Sequence, residues 1–420
     1  MNPPAPSAPV AGRESTPDEL RLLETELRRY PQRTELPDAL GRALDAKVRA
    51  LLARGNLAQA DVLALMALQY GVPAGQRFTA YRQKIAATLN IRADRPSTSV
   101  PRYLVIRAWG AGFWSEVDHL LSQLLLAEIT GRQPIVHWGE NCLYGGSRTQ
   151  NGLAHYFELP GSSLAHLEAT PDEIFPPKWS IGEMGGPDKN KNHGHFSRLS
   201  AVHLIGRHER IVVSDFFTQL LHLASWIPPW HPMHNQPLNA LYTDLIGRYL
   251  RPLTAHQRAA DQFVASTFNE RPYLALHLRG LDKVGEVRNL AQGNQACLEQ
   301  TDALLGSHPD LAIFLLTDDE SLLDVAKRRY GARIVTTASR RAQGRTGLHF
   351  LTTPNPDDRL AHGREVMLDS LVALRANYLV GLAPSNLAAM LGRLRAWPED
   401  TVFLLGKSQH EELNLALNEW

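Results

Sequence analysis

The segment His277-Leu-Arg-Gly-Leu-Asp-Lys283 gathers an imidazole, a guanidinium, a carboxylate and an ammonium directly after an apolar run over 273–278. Arg279 offers a planar fork that can grip two phosphate oxygens, and Lys283 adds a point charge. The set suits a pyrophosphate. A solvated loop with a satisfied strand-end histidine is the plainer reading of the same spacing. Thr317-Asp-Asp319 follows a second apolar run over 311–316. Paired carboxylates there can bind a metal or orient cations, while Thr317 or Asp318 equally suits the cap of a helix starting at Glu320. Ala383-Pro-Ser-Asn386 follows a third run over 378–382. Ser385 is placed to cap a helix over 386–394, and a helix start offers free N–H groups to phosphate oxygens. Between an earlier strand and helix stands Gly110-Ala-Gly112. Ser115 occupies the place of the third glycine of a dinucleotide fingerprint, so the pair reads as a turn that lets backbone approach a ligand.

The elements that must hold these groups come in two series. Strands over 103–108 and 134–138 flank a helix over 116–130 ended by Gly131, which is a βαβ unit and hence a parallel sheet. Alternation resumes with strands over 273–278, 311–316, 333–337, 378–382 and 401–405. Helices are expected over 295–305, 320–330, 364–375 and 386–394. The stretch 145–240, rich in Gly, Pro, His and Trp, carries no regular pattern. Ahead of both series, residues 17–90 have apolar spacing of the helical kind, and Ala50 to Ala60 resembles the turn of a helical hairpin. The expected fold is α/β with two Rossmann-like domains facing a cleft and an N-terminal all-α segment. The boundaries expected are a lead-in at 1–16, helices at 17–97, a first α/β domain at 101–260, a second at 261–407 and a tail at 408–420. Ligands in such sheets sit beyond the carboxyl ends of the strands, where the three clusters lie.

Composition narrows the function. The chain has 420 residues, 44% hydrophobic and 21% charged, with a formal net charge of +1. So nearly neutral a charge argues against nucleic acid as a main partner, because duplex binding usually needs a strongly basic face. The longest apolar stretch, 120–129, is interrupted by Ser122, Gln123 and Glu128, so no transmembrane segment is expected. Two cysteines, Cys142 and Cys297, exclude a disulfide framework and suit a reduced, cytoplasmic setting. His193, His195, His203, His208, His231 and His234 show no zinc-site spacing, and no nucleophile elbow or Cys/His pair is present, so no metal and no cofactor are expected.

Taken together, the clusters resemble the α-1,6-fucosyltransferase group, which includes rhizobial nodulation and animal core fucosyltransferases. His277-Leu-Arg-Gly-Leu-Asp-Lys-Val-Gly285 is similar to that group's H-V-R-R-T-D-K-V-G stretch, and Ile313 to Leu323 to its T-D-D-x-S-L-L strand and helix. Leu368-Asp369 through Ser385 is similar to its third stretch, and Gly110 to Tyr144 to its first βαβ unit. The resemblance implies a GT-B-like fold and metal-independent, inverting transfer of fucose from GDP-fucose to a glycan or glycoconjugate. In its terms Arg279 clamps the β-phosphate, and His277 and Asp369 hold guanine. Ser385 and Asn386 meet the diphosphate, Gly110 and Gly112 lie along the donor, and Asp318 and Asp319 support activity. Asp282, Lys283 and Glu286 belong to the catalytic loop. Gly280 and Leu281 replace an arginine and a threonine of the pattern, and Val287 stands where its carboxylate base belongs. Other GDP- or NDP-sugars, or binding without turnover, remain alternatives. The animal enzymes' membrane anchor has no counterpart, which with the abundance of Arg suits a bacterial version. A homodimer through the N-terminal helices is a further expectation.

Overall fold

In the computed structural model, residues 19–20, 22–23, 26–27, 32–89, 100–158, 163–188, 204–214, 218–224, 226–280, 290–342 and 354–406 are described. The expected lead-in at 1–16 and the tail at 408–420 lie outside them. So do His193, His195, His203, Leu281, Asp282, Lys283, Glu286 and Val287.

Three helices come first: α1 (Glu35–Ala53), α2 (Leu57–Gln69) and α3 (Gly75–Thr88). Gly55, at φ +72°, makes the tight turn between α1 and α2. Leucines spaced along α1 at Leu36, Leu40, Leu44 and Leu51 are buried against α2 and α3, with Leu20, Leu23 and Leu27 in the same core. The layer seats on the rest of the chain through Asp61, whose carboxylate accepts from Arg82 and from the Trp226 indole, both at 2.7 Å.

The first α/β series holds β1 (Tyr103–Arg107), α4 (Phe113–Thr130), β2 (Gln133–His137), β3 (Phe157–Glu158), β4 (Ile174–Phe175), β5 (Ile211–Ser214), α5 (Leu220–Ala224), α6 (Leu238–Tyr249) and β6 (Arg251–Pro252). Strands β2-β1-β5-β4 form a parallel sheet in that order, and β3 pairs antiparallel with β6. The unpatterned stretch 145–240 supplies short strands, 3-10 turns and β5. Helix α4 is buried on nearly every side. Some of its buried polar residues find local partners: Glu116 accepts from the N–H groups of Trp109 (2.7 Å) and Ala111 (2.5 Å), and the His119 ring meets the Arg107 carbonyl at 3.2 Å, whereas the Gln123 amide has none among the described residues. Gly131, at φ +62°, ends the helix as expected.

The second series follows with α7 (Thr254–Phe268), β7 (Tyr273–His277), α8 (Leu290–Ser307), β8 (Ala312–Leu316), α9 (Glu320–Tyr330), β9 (Ile334–Val335), α10 (Pro356–Ala373), β10 (Tyr378–Leu382), α11 (Asn386–Arg393) and β11 (Val402–Leu405). All five strands are parallel in the order β11-β10-β7-β8-β9. Alternate residues of β7 and β8 are buried on opposite faces: Tyr273, Ala275 and Phe314 on one, Leu274, Leu276 and Ile313 on the other. Helices therefore cover both sides. Two expectations change here. Helix α10 begins at Pro356 rather than 364, capped by Asn355, whose side chain accepts from the Asp357 N–H at 3.0 Å. Strand β9 shrinks to two residues because Thr337 and Ser339 turn away to bind a side chain.

One continuous core joins the two sheets through α4, α6, α7, α10 and α11. The Trp114 indole donates to Ser370 on α10 at 2.8 Å, and Tyr156 donates to the carbonyl of Leu360 at 3.4 Å. Both cysteines are free and buried.

Candidate active site

Strand order locates the site. β7 is followed by β8 and β9 on one side, and the chain then returns to lay β10 and β11 on the other. The order reverses between β7 and β10, and a crevice opens beyond their carboxyl ends at such a reversal. His277 ends β7 and Ser385 follows β10, so both sequence-identified residues flank that point.

His277 is buried, and its Nδ1 has no hydrogen-bond partner in the structure. Burial, with the Arg279 charge adding to it, lowers its pKa to about 3, so the ring is neutral at any physiological pH. An unpaired polar atom in such a place costs roughly 1–3 kcal/mol unless a ligand satisfies it. Gly381 on β10 makes room for α11: a Cβ there would stand 2.8 Å from that of Ala388, and at an ordinary 3.5 Å from that of His277. Arg279 is held by its backbone, its N–H donating to the Asn294 side chain at 3.0 Å and its carbonyl accepting from the same amide at 2.8 Å. Among the described residues its guanidinium has no hydrogen-bond partner, which leaves the fork available to an anion.

Ser385 stands at the N-cap position of α11, with Asn386 the first helical residue. The expected side-chain cap is not made. Its Oγ is buried and without a partner, while its N–H donates to Leu382 and its carbonyl accepts from Ala389. The hydroxyl and the helix start thus face the same crevice end as His277.

Beyond β8, the cap of α9 is Asp319 rather than Thr317 or Asp318. Its carboxylate accepts from the Ser321 N–H at 2.8 Å and hydroxyl at 2.5 Å. Asp318 is left partly exposed, with its charge acting on Tyr144 of the first series and His362 of α10. Asp369, from α10, accepts from the Thr337 hydroxyl, which also contacts Ser339 at 2.7 Å. Burial raises its pKa to about 6 against the opposing pull of Thr337, Ser339 and Arg341. Sequence reasoning missed Thr337, Ser339 and Asn294. Only the polar residues closing the short β9 could have signalled the first two.

On the first sheet, Gly110 is left-handed at φ +90° and Gly112 precedes α4 in extended conformation, with open space around a notional Cβ. Two loop N–H groups are already satisfied by Glu116, so a ligand there would meet the helix start beyond Gly112. Trp226 donates to Asp61 and lies under the Arg82 guanidinium at 4.7 Å, inside the contact with the helical layer. His231 meets Glu128 at 2.9 Å and His234 the Ile227 carbonyl at 2.6 Å. Among the described residues no group of three or more His, Cys, Asp or Glu is arranged to hold a metal ion, and no helix is long and apolar enough to cross a membrane.

No protein-family model matches the chain, and a search of curated proteins finds no match. The solved structures it resembles include fucosyltransferases. NodZ α-1,6-fucosyltransferase soaked with GDP-fucose is 16% identical over 70% of this chain and 93% of that one, with a TM-score of 0.47. Fucosyltransferase NodZ from Bradyrhizobium is 17% identical over 70% and 94%, also at 0.47. POFUT1 in complex with GDP is 12% identical over 74% and 100%, at 0.41.

Proposed function

We propose that the chain is an inverting fucosyltransferase that moves fucose from GDP-fucose to a hydroxyl of a glycan or glycoconjugate. One observation carries the nucleotide-sugar part: at the reversal between β7 and β10 stand two buried polar atoms without partners, His277 Nδ1 and Ser385 Oγ, and Arg279, whose guanidinium has no hydrogen-bond partner among the described residues. Protein interiors rarely leave such groups unsatisfied, and a diphosphate with a purine base supplies what each lacks. Arg279 neutralises the leaving GDP, so the departure asks for no metal. Ser385 and the α11 start, with Asn386, meet the phosphates. His277 and Asp369 take the base, and the motif resemblance favours guanine. Asp319 holds the turn after β8, and Asp318 faces the first sheet. Gly110 and Gly112 lie on the opposing side. Asp282, Lys283 and Glu286 complete the loop after Arg279 in this reading.

The domain division at 101–260 and 261–407, a cytoplasmic setting suited to two free thiols, and a homodimer through 17–97 belong to the same proposal. Gly280 and Leu281 favour one second reading, another GDP- or NDP-sugar, since both residues fall on the sugar side of the motif. Incubation with GDP-fucose and a glycan panel, followed by mass spectrometry, is expected to show a mass increase of one deoxyhexose. Binding of GDP-fucose with neither transfer nor GDP release would make the protein a binder instead.

A further inference from the structure

Deprotonation of the acceptor hydroxyl needs a base, and Val287 occupies the place where the motif resemblance would put one. The described residues offer another group. Helix α10 carries His362, Glu365 and Asp369 at spacings of three and four, hence along one face. Asp369 marks the nucleotide end. His362 lies two turns earlier, about 10 Å along the axis at about 1.5 Å per residue. There α10 meets the first sheet: the His362 and Tyr144 rings are 5.2 Å apart between centroids. The contact is fixed by Gly363, where any Cβ would fall 2.1 Å from the Tyr156 hydroxyl. Among the described residues the His362 ring has no hydrogen-bond partner, and it is only partly buried.

We propose that the His362 imidazole removes the proton from the acceptor hydroxyl, with the Asp318 and Glu365 carboxylates stabilising the imidazolium that results. The inference rests on the donor reading above. As the acceptor oxygen bonds to the anomeric carbon, its proton passes to a ring nitrogen. The bond from that carbon to the β-phosphate oxygen breaks, its electron pair leaves with GDP beside Arg279, and the imidazolium then returns its proton to water. The groups around the ring are Tyr144 after β2, Asp318 after β8, Arg340 after β9, and Glu365 on α10, which pairs with Arg340 at 3.0 Å. Burial holds His362 below its ordinary value of 6.5, with Arg340 adding to that and the two carboxylates opposing it. The neutral ring, the form able to take a proton, therefore prevails at pH 7.

The test is GDP release from saturating GDP-fucose with water as acceptor, followed from pH 5 to 9 in the full chain beside calorimetric GDP binding. The wild-type rate should fall on the acid side below pH 6.5. His362→Gln should lower kcat by about 100-fold or more with GDP affinity unchanged. Asp318→Asn and Glu365→Gln should move the acid limb to lower pH, and Arg340→Gln should move it to higher pH, opposite signs that a structural role would not produce. Wild-type kcat in His362→Gln would overturn the inference, as would an acid limb that none of the three neighbours moves. The neighbours decide the matter if His362→Gln fails to fold. Bound GDP-fucose with no release at any pH would also contradict it. Absence of GDP and GDP-fucose binding would instead remove the donor reading itself.

Discussion

The two titratable groups expected to hold the base are shifted in opposite directions by one cause, burial, which disfavours the charged form of each. His277 is buried beside a cation and stays neutral, whereas Asp369 is a buried carboxyl raised to about 6. A carboxylate can accept from two guanine N–H groups and a carboxylic acid cannot, so GDP should bind more weakly as pH falls through about 6. His277, at about 3, contributes nothing in that range. Calorimetry at pH 5 and pH 8 should differ by about tenfold, the ratio expected one unit below the pKa. Asp369→Asn should flatten the dependence, and a flat wild-type profile would remove Asp369 from the base site. Of these residues, His277, Arg279 and Ser385 were legible in the sequence because each follows an apolar strand directly. Asp369 was legible only by resemblance, since it sits inside a helix. Thr337, Ser339, Asn294 and His362 were not, because the partners that give them meaning are brought together only by folding.

At the scale of elements, the strand–helix alternation of the second half could be read from Tyr273 onward, with α9 and β10 at their expected bounds and α8 starting at Leu290 rather than 295. Both faces of its central strands are buried, which yields unmistakable apolar runs. The first two turns of α10 escaped because Pro356, Asp357, Asp358 and Arg359 break the apolar period, though Asn355 and Pro356 are a readable start signal. Arg359 is buried there, donating to the Gly145 carbonyl across the two halves at 3.2 Å. The close approach of β10, β7 and α11 at Gly381 makes a sharp prediction. Gly381→Ala would press on Ala388, so it should cost about 1–3 kcal/mol of stability. It should also weaken GDP binding by displacing α11 and Ser385 at its start. Thermal denaturation and calorimetry check the two effects, and unchanged values would mean that β10 and α11 can part without consequence.

For the whole molecule, one core is shared by the two sheets, and the Trp114–Ser370 bond ties α4 to α10 across them. The helical layer binds away from this junction, through Asp61, Arg82 and Trp226. Its expected role is assembly, so removing residues 1–95 should convert a dimer to a monomer in sedimentation. An unchanged oligomeric state would count against that role. A guanosine diphosphate at the β7–β10 crevice, gripped by Arg279, is what the proposed transfer requires. Titration calorimetry of the full chain with GDP, UDP, ADP and NAD should show tightest binding to GDP and a loss of about 10- to 100-fold in Arg279→Ala, the worth of a charge-assisted pair. Equal affinity for all four nucleotides, or tight GDP binding retained in Arg279→Ala, would contradict it.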